Sequence, residues 1–177
     1  MRTIGAVVFI AVLCLTACIC NGYASDDVVH DFLLNKNRWK YSLENDARLQ
    51  LRIGDTKLIL KIVDAPAGAF TDIQLYTLGW KIEKGQKYIL KFNGTSNRKA
   101  QVICNFHKPS PPWDAYQKDS VTFDLSSGDN MKEEELTASE STDRARLTLY
   151  LGQNERDTEI TINSLKLYKV NDAGPIK

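Results

Sequence analysis

Apolar residues recur at every second position through most of this chain, and that period decides the fold class. Leu49, Leu51 and Ile53 alternate with Gln50 and Arg52; after Gly54-Asp55, Leu58, Leu60 and Ile62 alternate with Ile59 and Lys61. Successive side chains of an extended strand point to opposite sides of a sheet, so the two runs predict a hairpin with one apolar face. Ile73, Leu75 and Thr77 likewise oppose Asp72, Gln74 and Tyr76, and Tyr88, Leu90 and Phe92 oppose Ile89, Lys91 and Asn93. Ala100, Val102, Cys104 and Phe106 oppose Gln101, Ile103, Asn105 and His107. Val121 and Phe123 form a shorter run, and Ala145, Leu147, Leu149 and Leu151 oppose Arg146, Thr148 and Tyr150. In the last run Ile160 and Ile162 give way to Leu165 and Leu167, a slip of phase that predicts a bulge.

Helical spacing does not compete. Residues 131–140 hold helix formers but few apolar positions, and read as a loop with a strand near 135–138. Nine or ten strands without crossover helices predict an all-β fold, a two-sheet antiparallel β-sandwich of jelly-roll type. On several strands one side goes to the core. The other carries amides, aromatics and hydroxyls, and a ligand could lie there.

The chain begins differently. Arg2 precedes an uncharged, mostly apolar run from Ile4 to Leu15, long enough for a signal-peptide core and too short to span a bilayer. Leu15-Thr16-Ala17-Cys18 then resembles the lipobox of bacterial lipoproteins, in which Cys18 would carry the acyl chains. Gly22-Tyr23-Ala24 offers an alternative cut by ordinary signal peptidase. Residues 1–24 are therefore expected to be leader and tether, and residues 25–177 a single β-sandwich domain. The protein is expected to be exported, either lipid-anchored in a bacterial envelope or secreted. About 150 residues remain, the size of one ordinary domain.

Charge narrows the partners. Arg2 is the only charged residue of the leader, so its loss leaves 22 Lys+Arg against 22 Asp+Glu. A neutral domain lacks the field that draws phosphate backbones or anionic lipid, so no nucleic acid is expected, and membrane only through a lipid anchor. Of the four cysteines, Cys14, Cys18 and Cys20 belong to the leader and tether, which leaves Cys104 as a buried small hydrophobe. No Cys/His spacing suggests a metal. His30 and His107 have no partner pattern, and no nucleophile triad, phosphate loop or cofactor motif is present.

An ordered series of segments carries a family resemblance. Asp72-Ile73-Gln74-Leu75-Tyr76 is followed by Ile82-Glu83-Lys84-Gly85-Gln86-Lys87-Tyr88-Ile89-Leu90-Lys91-Phe92, then Arg98, the aromatic loop Trp113-Asp114-Ala115-Tyr116, and Ala145-Arg146-Leu147-Thr148-Leu149-Tyr150-Leu151-Gly152. Together with the closing run from Ile160 to Leu167, this resembles the jelly-roll carbohydrate-binding modules of families four, nine and twenty-two, found beside bacterial cellulases and xylanases. The resemblance spans about residues 45–168. It implies a stand-alone, monomeric module that binds polysaccharide or oligosaccharide without catalysis. Two other readings stand beside it: an envelope sandwich that binds protein partners, and a small glycoside hydrolase using Asp72 and Asp114.

No cofactor is expected to be required. Where the family often reads Ile-Asp-Asn-Val-x-Leu, this chain has Ile162-Asn163-Ser164-Leu165-Lys166-Leu167. Asn163 thus replaces an aspartate that often helps hold a structural calcium, and an amide offers a carbonyl oxygen without the charge. The family also often has a tryptophan just before the Asp-Ile-Gln segment, where Phe70-Thr71 stands here.

Neutral sugars present C–H faces that aromatic rings cover and hydroxyl edges that amides or guanidinium groups bond. The strand phases nominate Gln74 and Tyr76 on one strand, Gln101 and Asn105 on a second, and Thr148 and Tyr150 on a third. Trp113 and Tyr116 could wall a groove from their loop, and Arg98 could offer a fork to two hydroxyls. Each has a structural alternative: cross-strand packing for the tyrosines, a plug over the core edge for Trp113 and Tyr116, an ion pair for Arg98. Trp80, which starts the apolar series continued by Ile82, is expected in the core.

Overall fold

The computed structural model describes residues 27–34, 38–128 and 130–171. The leader, Cys14, Cys18, Cys20 and the Leu15–Cys18 motif lie outside the described residues. Eleven strands occur among the described residues: β1 (Asp27–Asp31), β2 (Lys40–Leu43), β3 (Arg48–Ile53), β4 (Leu58–Asp64), β5 (Ile73–Ile82), β6 (Lys87–Ser96), β7 (Ala100–His107), β8 (Val121–Leu125), β9 (Asn130–Thr137), β10 (Thr142–Tyr150) and β11 (Glu159–Lys169). They form two antiparallel sheets, a jelly-roll sandwich. One runs β3-β4-β11-β6-β9, with β1 also paired to β11; the other runs β2-β5-β10-β7-β8.

The period-two runs set which faces meet. Leu58, Leu60, Ile62, Leu90, Phe92, Ile160, Ile162, Leu165 and Leu167 of the first sheet pack on Ile73, Leu75, Val102, Cys104, Phe106, Leu147 and Leu149 of the second, all essentially without solvent contact. Two ring pairs tie the layers together. Phe92 stacks on Phe123 at 4.7 Å, and Phe32 meets Trp80 edge-on at 4.7 Å. Burial of apolar surface at about 25 cal/mol per Å² makes this interior the main source of stability. Trp80 is in the core, as its place in the pattern requires, and so is Trp39, whose Nε1 donates to the Phe32 carbonyl at 3.1 Å.

Cys104 is a buried free thiol, and burial pushes its pKa up. The phase slip in the last run is a real irregularity: the β11–β6 register shifts between Ile162 and Ser164. Gly79, at φ +84°, marks a similar step on β5, after which Trp80 and Ile82 resume the inward face.

One segment departs from its sequence reading. Residues 130–137 are not a loop ending in a short strand; they form the whole of β9, paired to β6 from Lys87–Thr137 to Gly94–Asn130. Along β9 only Leu136 is buried, so the alternation that signals a strand is missing. The ladder and the cross-strand pairs Lys91–Glu133 (3.0 Å) and Lys87–Glu135 (3.2 Å) hold it instead. A charge-rich edge strand also resists pairing with other chains.

Candidate functional site

The outer side of the five-stranded sheet is where polar and aromatic side chains collect, because its inward positions are all committed to the core. Register places Ser42 of β2 beside Gln74 of β5, and Gln74 beside Tyr150 of β10. In the next rows Tyr76 lies beside Thr148 and Thr148 beside Asn105, while Arg146 of β10 lies beside His107 of β7. On this face opens a cleft of about 530 Å³. Ser42, Glu44 and Thr71 line one side, Gln74, Tyr76, Arg146 and Tyr150 the strands, and His107 and Trp113 the other side.

The cleft is organised around Arg146. Its guanidinium lies over the Tyr76 ring at 3.8 Å from the centroid and over the Trp113 ring at 5.1 Å. Nη2 donates to Gln74 Oε1 at 3.1 Å, whereas the buried Nε has no hydrogen-bond partner among the described residues. Burial lowers the Arg146 pKa, with the tyrosines Tyr76 and Tyr150 opposing the shift. The Gln74 amide is clamped from its other end, Nε2 donating to the Thr71 carbonyl (3.1 Å) and to Glu44 Oε1 (3.3 Å). An amide with its oxygen toward a cation and its nitrogen toward an anion has only one sensible orientation.

A second cluster closes the far side. Tyr150 Oη meets His107 Nε2 at 2.8 Å, and His107 Nδ1 meets the Trp113 carbonyl at 3.1 Å. A carbonyl only accepts, so Nδ1 carries the proton and Nε2 accepts from the tyrosine hydroxyl. Burial lowers the His107 pKa; the bond to the Trp113 carbonyl opposes this and the Arg146 charge adds to it. Trp113 itself is 46% exposed and sits at φ +56°, a left-handed conformation that costs a bulky residue on the order of 1–3 kcal/mol. Its amide donates to the Ser110 carbonyl at 3.2 Å, so a tight turn holds the ring out over the cleft. Phe70 meets Tyr150 edge-on at 5.2 Å and extends the aromatic surface. Close approach of its turn to the strand end depends on Gly152, where a Cβ would collide with the Ala69 carbonyl oxygen and sit 3.0 Å from the Asp72 Cβ.

The structure brings together four of the nominated residues, Gln74, Tyr76, Trp113 and Tyr150, and parts five from the cleft lining. Arg98 bonds the Arg156 carbonyl (3.3 Å) and Glu155 (3.6 Å) near the start of β7, the ion pair that was its structural alternative. Gln101 binds Asp124 Oδ1 at 3.0 Å and lies six residues from His107 along β7, about 20 Å at 3.3 Å per residue. Asn105 has the right parity but is buried, accepting from Gln117 Nε2 at 3.2 Å. Thr148 is fully buried between Tyr76 and Asn105. Tyr116 packs into the core edge as a plug, its backbone bonded to Phe106 and Ser139.

Residues that the sequence reading passed over complete the cleft: Arg146, His107, Ser42, Glu44 and Thr71. Parity could have found the first two, since Arg146 shares the side of Thr148 and Tyr150, and His107 that of Asn105. The acid pair offered for a hydrolase does not assemble. Asp72 is fully buried, accepting from Asn45 Nδ2 (2.7 Å) and the Ala69 amide (3.0 Å), and Asp114 pairs with Lys108 at 3.3 Å. Asn163 is exposed on β11 and donates to Asn93 Oδ1 at 3.3 Å. It shares a small hollow with Asp31, Asp55 and Lys166, and the Lys166 ammonium already pairs with Asp31 at 3.2 Å. Among the described residues no group of three or more His, Cys, Asp or Glu side chains is placed to hold a metal ion.

Comparison with protein-family models and with curated proteins finds no match. Solved structures do match. A structure described as a CBM4 module aligns with a TM-score of 0.64 at 16% identity, covering 84% of this chain and 98% of that one. The second N-terminal cellulose-binding domain of Cellulomonas fimi β-1,4-glucanase C aligns with a TM-score of 0.59 at 13% identity, over 83% and 97%. The CBM22-1 xylan-binding domain of Paenibacillus barcinonensis Xyn10C aligns with a TM-score of 0.53 at 8% identity, over 84% and 97%. At these identities the likeness establishes a shared fold.

Proposed function

We propose that this protein is a non-catalytic module that binds polysaccharide or oligosaccharide in the cleft of its five-stranded sheet. The observation that carries the reading is the convergence of the Tyr76 and Trp113 rings, the Gln74 amide and the Arg146 guanidinium in one open hollow of saccharide size. Rings cover sugar C–H faces, and the amide and guanidinium supply in-plane bonds to hydroxyls. The shared fold with domains described as cellulose- and xylan-binding supports the reading. Glycoside hydrolysis needs two carboxylates across the scissile bond, and Glu44 is the only carboxylate lining the cleft among the described residues. No helix among the described residues is long and apolar enough to cross a membrane. The leader read from residues 1–24 supports export, with the module tethered through Cys18 or secreted, and the proposed binding chemistry requires no cofactor.

Stacking worth on the order of 1–3 kcal/mol per ring, the scale known for nucleic-acid bases, puts a single engagement near millimolar to micromolar. Repeated sites along a polymer raise the apparent affinity. Affinity electrophoresis of the purified protein in gels containing xylan, β-glucan or cellulose derivatives tests the reading. Retardation that disappears with Trp113→Ala is expected. Unchanged mobility on a broad glycan panel would favour a protein-binding sandwich, and release of reducing sugar would establish a hydrolase.

A further inference from the structure

The cleft holds a cation without its anion. Arg146 has no carboxylate within ion-pair distance among the described residues; Glu44, the nearest acid in the cleft's bonding pattern, is separated from it by the whole Gln74 amide. Of the five guanidinium N–H donors, one goes to Gln74 and the buried Nε–H has no partner. Three donors on the terminal nitrogens remain for a ligand. The guanidinium carbon lies 3.8 Å from the Tyr76 ring centroid and 5.1 Å from that of Trp113, so the rings crowd the group and the free terminal N–H donors are what it offers a ligand.

We infer that the glycan this cleft selects is acidic, and that Arg146 receives the carboxylate of a hexuronic acid unit. The inference rests on the carbohydrate-binding reading and narrows it. A planar carboxylate matches the guanidinium edge with two coplanar oxygens, and the bidentate pair of full opposite charges adds attraction and geometric specificity that a neutral hydroxyl lacks. The partly desolvated cation gains most from an anion, because the surrounding rings keep water from screening the pair. Glu44, an acceptor-only group on the other side of Gln74, then suits the hydroxyl donors that flank a uronate carboxylate. A neutral sugar would satisfy the hydroxyl contacts and leave the arginine charge uncompensated. A sulfate ester also offers the guanidinium fork two oxygens, so a sulfated oligosaccharide is the competing anion that the titration must separate from a carboxylate.

Isothermal titration of the purified protein with oligogalacturonate, glucuronic-acid-substituted xylo-oligosaccharide, neutral xylo- and cello-oligosaccharides, and a sulfated oligosaccharide tests this. The uronate ligands are expected to bind at least tenfold tighter than the neutral ones. That margin should shrink severalfold between about 0.02 M and about 0.5 M sodium chloride. Arg146→Gln should bring uronate binding down to the neutral level, with folding checked by thermal melting. Arg146→Lys, which keeps the charge and loses the planar fork, should recover only part of the margin. Equal or tighter binding of the neutral oligosaccharides would overturn the inference while leaving the glycan-binding reading intact. Tighter binding of the sulfated ligand would overturn the choice of carboxylate. Binding to none of the five would overturn both.

Discussion

The two outer faces of the sandwich are built from the same alternation and end in opposite states. On the six-stranded sheet, charges answer one another: Lys61 pairs with Asp157 (3.3 Å), Lys91 with Glu133 (3.0 Å) and Lys87 with Glu135 (3.2 Å). A half-buried ring on this face is used the same way, the Lys91 ammonium lying over Tyr168 at 4.8 Å. On the five-stranded sheet, Arg146 lies over two rings and holds one amide, with no acid paired to it among the described residues. Polar pattern alone therefore does not mark a binding face. What marks it is polar chemistry left unsatisfied within the chain, on a surface concave enough to admit a partner.

The largest effect that would sharpen this contrast concerns the turn that walls the cleft. Gly152→Ala forces a methyl against the Ala69 carbonyl, so a loss of about 1–3 kcal/mol, read as a lower melting midpoint, is expected, together with weaker glycan binding. Next comes the aromatic wall. Trp113→Ala should reduce affinity roughly tenfold to a hundredfold, from about 1–3 kcal/mol of stacking, with folding preserved because the ring is 46% exposed. The matching change on the other face, Tyr168→Ala, should leave glycan binding where it was; a comparable loss there would erase the distinction between the faces.

Acid should tell the faces apart more gently. Burial lowers the His107 and His30 pKa values, so the unfolded chain takes up protons first as pH falls. Stability is full above the ordinary imidazole value near 6.5 and declines as pH drops below it. Thermal melts across that range check the sign. His107→Gln should remove part of the decline, since this ring bridges Tyr150 and the Trp113 carbonyl. The smallest effect belongs to the paired face. A double-mutant cycle on Lys91 and Glu133 should return about 0.2–1 kcal/mol, falling with added salt.

How much of this could be read in the sequence follows from what period two reports. It reports which side of a strand is apolar, so the core from Leu58 to Leu167, the sandwich class and the bulge after Ile162 were legible. It cannot report the edge strand β9, whose single buried residue leaves no alternation to see. Within the site, parity put Gln74, Tyr76 and Tyr150 on the right side but could not give distance along it. Gln101 has the parity of His107 and lies at the other end of β7. Nor could it show that Asn105 and Thr148, equally outward by parity, are covered. Arg146 went unnoticed because charge on an outward position ordinarily means solvent; here rings from a neighbouring strand and a distant loop claim it.

The placement of β11 has a consequence for how the chain comes together. It follows every other strand described here, yet it lies between β4 and β6 and also carries β1. Until its residues emerge, the halves of the larger layer have no common seam, and the smaller layer has nothing complete to close upon. A polypeptide wired in this order must bring distant segments together before the larger sheet is whole, and pairings of that kind order slowly.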